Sequence, residues 1–270
     1  MSGLGDALFA LHSLDALASR PGVLNRMDPR AKILATLGFI VMVVSFDRYT
    51  FLALLPFALF PIALCAMGDV PLQLILRKVL TASPFALMIG IFNPLLDHTT
   101  QADLFGFGVS GGWVSFASIL LRFSLTVSAA LVLVATTGFY GVCGGLSQLG
   151  VPRVFTTQLM FLHRYAYVLA AEAARMSMAR ELRSSDGTGA SLKTYGTLLG
   201  HLLLRSIDRA QRIHLAMVSR GFDGQVRRLH PAHWRHTDSV FLTVCTLGCL
   251  LGRGVDLPQF LGRFLLGLTA

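Results

Sequence analysis

The chain has 270 residues, 54% of them hydrophobic and 14% charged, with a mean hydropathy of +0.64 and a formal charge of +9. Soluble domains carry about 25% charged residues, so this composition excludes a soluble domain and points to a polytopic membrane protein. No basic groove with interleaved aromatics is visible, which excludes nucleic acid as a partner; the basic excess, mostly arginine, reads as cytoplasmic loops beside a lipid bilayer.

Residues 1–30 form a mixed polar segment that ends in MDPRAKI, where Asp28 is placed to cap a helix and Pro29 to open it. Within 31–136, the apolar runs Lys32–Phe46, Phe51–Met67, Val79–Leu96 and Trp113–Thr136 read as four membrane crossings, the first of marginal length. TTGFYGVCGGLSQLG, which follows the fourth run, reads as a flexible turn. It lacks Gly-Lys-Ser/Thr, and no Gly-Lys pair occurs anywhere in the chain, so no phosphate-binding loop of the Walker type is present.

A block spanning 137–236 comes next. No Gly or Pro interrupts the chain between Pro152 and Arg183, and Phe155, Leu159, Leu162, Ala166, Leu169, Ala173 and Met176 recur at steps of three or four. That spacing predicts a long amphipathic helix. After SSDGTG a second helix is predicted from about Ser191 to Arg220. Its apolar side is Leu199, Leu202, Leu203, Ile207, Ala210, Ile213 and Met217; Arg205, Arg209 and Arg212 mark another side, and Gly221 stops it. Neither helix is apolar enough to span a bilayer, so both belong at the membrane surface or against a partner. The C-terminal region 237–270 holds a last crossing over Ser239–Leu251, and an apolar piece, Leu257–Leu268, that fits either a sixth crossing or a half-crossing. The fold class is therefore all-α, with about five to six transmembrane helices and two long amphipathic helices outside the bilayer.

Basic residues alternate between loops. Arg20, Arg26, Arg30 and Lys32 lie at the first entry, Arg77 and Lys78 after the second crossing, and 13 basic against 5 acidic residues within 137–236. DHTTQADLFGFGVSGG has neither Lys nor Arg. The positive-inside rule then places the N-terminus and the 137–236 block in the cytoplasm. The N-terminus carries no basic region followed by an apolar run and a cleavage site, so no cleaved signal peptide is expected.

Chemistry-bearing groups are sparse. Cys65, Cys143, Cys245 and Cys249 show no CxxC spacing and read as small buried hydrophobes. His230, His233 and His236 are spaced three apart, but Pro231 argues for a loop rather than a metal face. Glu172 and Arg175 form a local i, i+3 ion pair on the first long helix. No catalytic or metal-ligating set is expected, and nothing points to an intramembrane enzyme. A self-sufficient permease would need ionisable residues inside the crossings, and Arg122 is nearly alone there. The two long helices end alike, in MARELRSSDG and VSRGFDG, each with an arginine near a helix C-terminus. Such an arginine either caps carbonyls and meets lipid phosphate, or docks into a partner's groove.

Taken together, MDPRAKI, LGVP at 149–152, FLHRYAYVLAAEAARMSMARELR at 161–183 and AMVSRGFDG at 216–224 resemble the transmembrane T component of energy-coupling-factor transporters, in its cobalt-type branch, CbiQ. The resemblance implies that the two amphipathic helices are coupling helices whose tips dock on two ATPase subunits. By position, the tips fall on Ala179-Arg180-Glu181 and Ser219-Arg220-Gly221, with Arg164, Glu172, Arg175 and Arg183 in support. Both tips depart from the family's Ala-Arg-Gly pattern, at Glu181 and at Ser219. The resemblance further implies a coupling subunit of a cobalt importer in the bacterial inner membrane, or of a nickel importer, with no cofactor of its own. ATP would be held by two CbiO-like ATPases, and the ion by a CbiM-like membrane subunit accompanied by a small CbiN-like one.

Overall fold

The computed structural model describes residues 17–18, 22, 24–47, 51–96, 100–104, 107–183, 192–224, 226 and 234–254. The chain forms two compact units, one of residues 17–138 with 232–270 and one of residues 1–16 with 139–231. The Leu257–Leu268 piece, His230, His233 and the SSDGTG break lie outside the described residues.

In the first unit, α1 (Pro29–Val44) starts as its sequence dictates: Pro29 stands at the first helical position, and the Asp28 carboxylate accepts a hydrogen bond from the Arg30 amide at 2.9 Å. The second apolar run does not form one helix. Pro56 cannot donate to a regular ladder, and the run divides into a 3-10 stretch, Leu52–Ala58, and α2 (Leu59–Met67). Then come α3 (Leu72–Gly90), a short α4 (Phe92–Leu96), an antiparallel hairpin of β1 (Thr100–Leu104) and β2 (Phe107–Ser110), and α5 (Gly111–Thr137). The hairpin falls in the segment free of Lys and Arg, where the sequence had marked only a loop. The unit closes with α9 (His236–Gly254).

The helical architecture is that of a polytopic membrane protein. Among the described residues, two stretches, Leu72–Pro94 and Gly112–Thr137, are long and apolar enough by themselves to cross a bilayer. Among the other predicted crossings, α1 has 16 residues, roughly 24 Å of helix, and the second is broken at Pro56. The inner face is a core of Phe39, Val43, Leu54, Phe57, Leu125, Ala129 and Cys249, with Phe39 stacked on Phe60 at 4.2 Å. Leu37 and Val41 on α1, Leu80, Phe85 and Met88 on α3, and Val244 and Leu247 on α9 face outward. An apolar exterior around a packed core suits helices surrounded by lipid. Arg122 donates to the Asp47 carbonyl just beyond α1, a bond that ties α5 to the end of that helix. All four cysteines are free; Cys65, Cys143 and Cys249 are buried and Cys245 is partly so.

Close approach at Gly68 makes a checkable prediction. A methyl group there would lie 2.6 Å from Thr136 Cγ2 and 3.1 Å from the Leu64 carbonyl. Overpacking of this kind costs typically 1–3 kcal/mol. Gly68→Ala is therefore expected to lower the thermal midpoint of the purified chain, and an unchanged midpoint would show that Thr136 yields freely.

In the second unit the glycine-rich segment departs from expectation. It is a helix, α6 (Phe139–Gln148), separated from α5 by Gly138 at φ +70. Gly141, Cys143, Gly144 and Gly145 are buried, so close packing of a small-residue face outweighs the poor helix propensity of glycine. LGVP then turns the chain: Gly150 takes φ +101, the Val151 amide bonds back to the Leu146 carbonyl, and Pro152 precedes α7. α7 (Arg153–Arg183) and α8 (Leu192–Ser219) occupy the two amphipathic stretches within a residue or so of their predicted limits.

Candidate functional site

α7 and α8 pack as an antiparallel pair, and two sets of contacts fix it. Midway along, Glu172 on α7 receives Arg175 Nη2 at 2.7 Å from its own helix and Arg205 Nη1 at 2.7 Å from α8, with Arg209 Nη2 at 3.7 Å. The sequence had shown only the local Arg175 pair; Arg205 and Arg209 come from the next helix. The Glu172 side chain is 13% exposed, shielded by its three arginines. Hydrogen bonds from Arg175 and then Arg205 hold its carboxyl below the usual carboxylate range. Because the folded-state value is depressed, the link is intact at neutral pH and is lost only as pH falls through that lowered value.

Toward the C-terminal end of α8 the contacts are apolar. Phe161, Tyr165 and Leu169 of α7 meet Ala210, Ile213 and Met217 of α8, around a cavity of about 420 Å³. The predicted apolar faces are thus only partly used: Leu169, Ala210, Ile213 and Met217 line the seam, while Phe155, Leu162, Leu199 and Leu203 stay exposed. His163 stacks on Phe139 at 4.3 Å and meets Tyr140 and Tyr167 edge-on, which joins α6 to α7.

The second predicted tip has a defined local structure. Gly221 takes φ +76; its amide bonds to the Val218 carbonyl at 2.9 Å, and the Phe222 amide to the Met217 carbonyl at 3.0 Å. This pair of bonds is a Schellman motif, with glycine in the left-handed position and Arg220 as the capping residue. Phe222 then folds back beside Phe161, ring centroids 6.3 Å apart, and Thr157 Oγ1 donates to the Gly224 carbonyl. Ser219 Oγ donates to the Leu215 carbonyl, and its neighbour Arg220 is exposed. Gly221→Ala would force a side chain into the left-handed region at roughly 1–2 kcal/mol. Faster amide exchange at Gly221 and Phe222 is the expected sign, and unchanged protection there would mean that the turn does not depend on glycine.

The first tip lies in the last turn of α7. Ala179, Glu181 and Arg183 are exposed and Arg180 is partly covered. Arg164 is exposed near the middle of the helix. Among the described residues, neither Arg180 nor Arg220 has an ion-pair partner. The pairing of Phe161 with Phe222 puts Arg220 at the level of the N-terminal half of α7. The stretch from Phe161 to Arg180 is roughly 28 Å long at 1.5 Å per residue. The two arginines therefore stand at opposite ends of one braced helix pair. Among the described residues, no group of three His, Cys, Asp or Glu side chains is placed to hold a metal ion.

The family model described as CbiQ, cobalt transport protein, matches residues 22–231. The cobalt transport protein CbiQ of Rhodobacter capsulatus is 28% identical over 114 residues, which is 42% of this chain and 47% of that protein. The nickel permease LarQ of Lactiplantibacillus plantarum is 30% identical over 129 residues, 46% of this chain and 47% of the relative. The energy-coupling factor transporter transmembrane protein EcfT of Limosilactobacillus fermentum is 26% identical over 246 residues, covering 85% of this chain and 91% of that protein.

Proposed function

The chain belongs to the CbiQ family of cobalt transport proteins, transmembrane components of ECF-type transporters, and from that premise we propose that it couples a pair of ATPase subunits to the import of cobalt. The observation that carries the reading is the geometry of α7 and α8. Two arginines that have no ion-pair partner among the described residues end the two helices at opposite ends of a pair braced by Glu172 and by the Phe161–Phe222 seam. A guanidinium so placed offers a planar fork of donors to carboxylates or carbonyls of another polypeptide. Their separation of roughly 28 Å suits two docking grooves rather than one.

ATP binding closes the ATPase dimer and displaces the two docked tips. The braced helices move as a body and carry the displacement to a membrane subunit that holds the ion, which then opens toward the cytoplasm. ATP and cobalt stay on the partner subunits throughout; this chain transmits force. The chain lies in the cytoplasmic membrane with its N-terminus on the cytoplasmic side. Nickel is the second reading of the cargo, favoured by the likeness to LarQ. Affinity purification of the tagged chain from the membranes of its native host is the test. ATPase and metal-binding membrane subunits should co-purify in a complex that takes up radiolabelled cobalt in preference to nickel, and purification of the chain alone would end the coupling reading.

A further inference from the structure

Among the described residues, three side chains of the charged types are buried in the membrane unit, close to the points where the chain leaves it and returns to it. Asp28 and Lys32 are 3% exposed and Asp238 is 1% exposed. Lys32, on the first turn of α1, donates to the Thr136 carbonyl at 3.1 Å. Thr136 stands in the last turn of α5, two residues before the break at Gly138. Carbonyls of a final helical turn lack partners within the helix, and a cation there also meets the negative end of the helix dipole. Asp238, in the first turn of α9, accepts the Arg235 amide through Oδ2 at 2.8 Å and the Asp28 amide through Oδ1 at 3.0 Å. One turn of α1 thus grips both the end of α5, where the chain departs for residues 139–231, and the start of α9, where it comes back.

Stability alone does not account for this arrangement. Taking a charge out of water costs several kcal/mol, and apolar residues of similar volume often hold a core as well or better. The trio carries two potential negative charges against one buried positive charge, the second cation being the part-exposed Arg30, whose Nε lies 3.9 Å from Asp28 Oδ1; among the described residues Asp28 Oδ2 has no hydrogen-bond partner. What ionic and hydrogen-bonded contacts add is direction: each bond works only at one distance and angle, so the three helix ends are held in one register.

We propose that Asp28, Lys32 and Asp238 are positioning residues of the transport cycle, which make α5 and α9 move with α1 when residues 139–231 are displaced. The proposal rests on the coupling role above. With the cluster intact, a load on either connection is delivered to the whole helix bundle. With it broken, the connections give locally and ATP is spent without transport.

The test uses the full complex of this chain with its ATPases and metal-binding subunit, reconstituted in liposomes, and reads ATP hydrolysis and cobalt uptake together. Lys32→Met and Asp238→Asn are expected to keep the ATPase bound and hydrolysing while uptake per ATP falls by about tenfold, within the usual range of coupling between sites. Arg77→Ala, at an exposed position on α3, should leave that ratio unchanged. Asparagine retains one acceptor oxygen, so Asp238→Asn carries the test if Lys32→Met does not accumulate. In the double variant the losses should not add, because the two side chains serve one connection. Assembled variants with a wild-type ratio would overturn the cluster's role and leave the coupling role standing. Failure of both variants to accumulate would mark the cluster as a folding element and overturn it too. A wild-type complex without ATPase would overturn the coupling role and this inference with it.

Discussion

Changing Arg180 and Arg220 together to alanine is expected to release the ATPase from the membrane complex and stop metal uptake, while the chain itself still accumulates in the membrane. Neither arginine belongs to a packed face: Arg220 is exposed, Arg180 partly so, and neither has an ion-pair partner among the described residues. Truncating one charged partner of a buried, hydrogen-bonded interface pair costs roughly 2–5 kcal/mol. Every 1.4 kcal/mol is about tenfold in affinity, so the loss of both removes binding at cellular concentrations. Arg212→Ala, on the exposed basic side of α8, is the matched control and should do much less.

The single changes are expected to be unequal. The second predicted tip is tied down locally, because Gly221 closes a Schellman turn and Phe222 lies against Phe161, so Arg220 would meet a partner with its backbone already ordered. At the first tip the exposed carboxylate of Glu181 adjoins Arg180 where the family pattern has glycine, and it would have to be accommodated by the groove. Arg220→Ala should therefore release more ATPase than Arg180→Ala. Arg220→Lys should restore only part of the binding, since an ammonium does not reproduce the planar fork. If both arginines merely met carbonyls or lipid phosphate, lysine would serve about as well. The double alanine variant would then retain its ATPase, a result that ends the docking reading.

Features written in local chemistry were legible in the sequence. Asp28-Pro opens α1 as read, because a cap and a first-turn proline act within four residues. The limits of α7 and α8 followed from an uninterrupted 3.6-residue period and from Gly221, whose positive φ the structure bears out. Long-range features were not legible. α6 looked like a turn because three buried glycines speak against a helix until their packing partners are known. Glu172 looked like one surface pair because Arg205 and Arg209 lie on the following helix. Lys32 counted as one more cytoplasmic charge; its bond to Thr136 spans 104 residues, and no spacing rule reaches that far. A basic residue opening an apolar run was the available signal.

Topology gives the second large effect. A cysteine introduced at Thr197, an exposed position on α8, is expected to resist a membrane-impermeant maleimide in intact cells, while Gln101→Cys in β1 reacts. The physical ground is the distribution of Lys and Arg close to the ends of the crossings, where the positive-inside rule acts; long domains translocate largely regardless of their total charge. Arg153 follows the end of α5 closely, and Arg220, Arg227, Arg228 and Arg235 precede α9, whereas DHTTQADLFGFGVSGG, between α3 and α5, has two Asp and neither Lys nor Arg. Both long helices should therefore face the side that holds ATP. Of the native thiols, Cys65, Cys143 and Cys249 are buried, so a Cys245→Ser background leaves the introduced cysteine as the accessible one. Labelling of Thr197→Cys from outside would place α7 and α8 on the wrong side of the membrane for any ATPase, and neither Arg180 nor Arg220 could then be a docking tip.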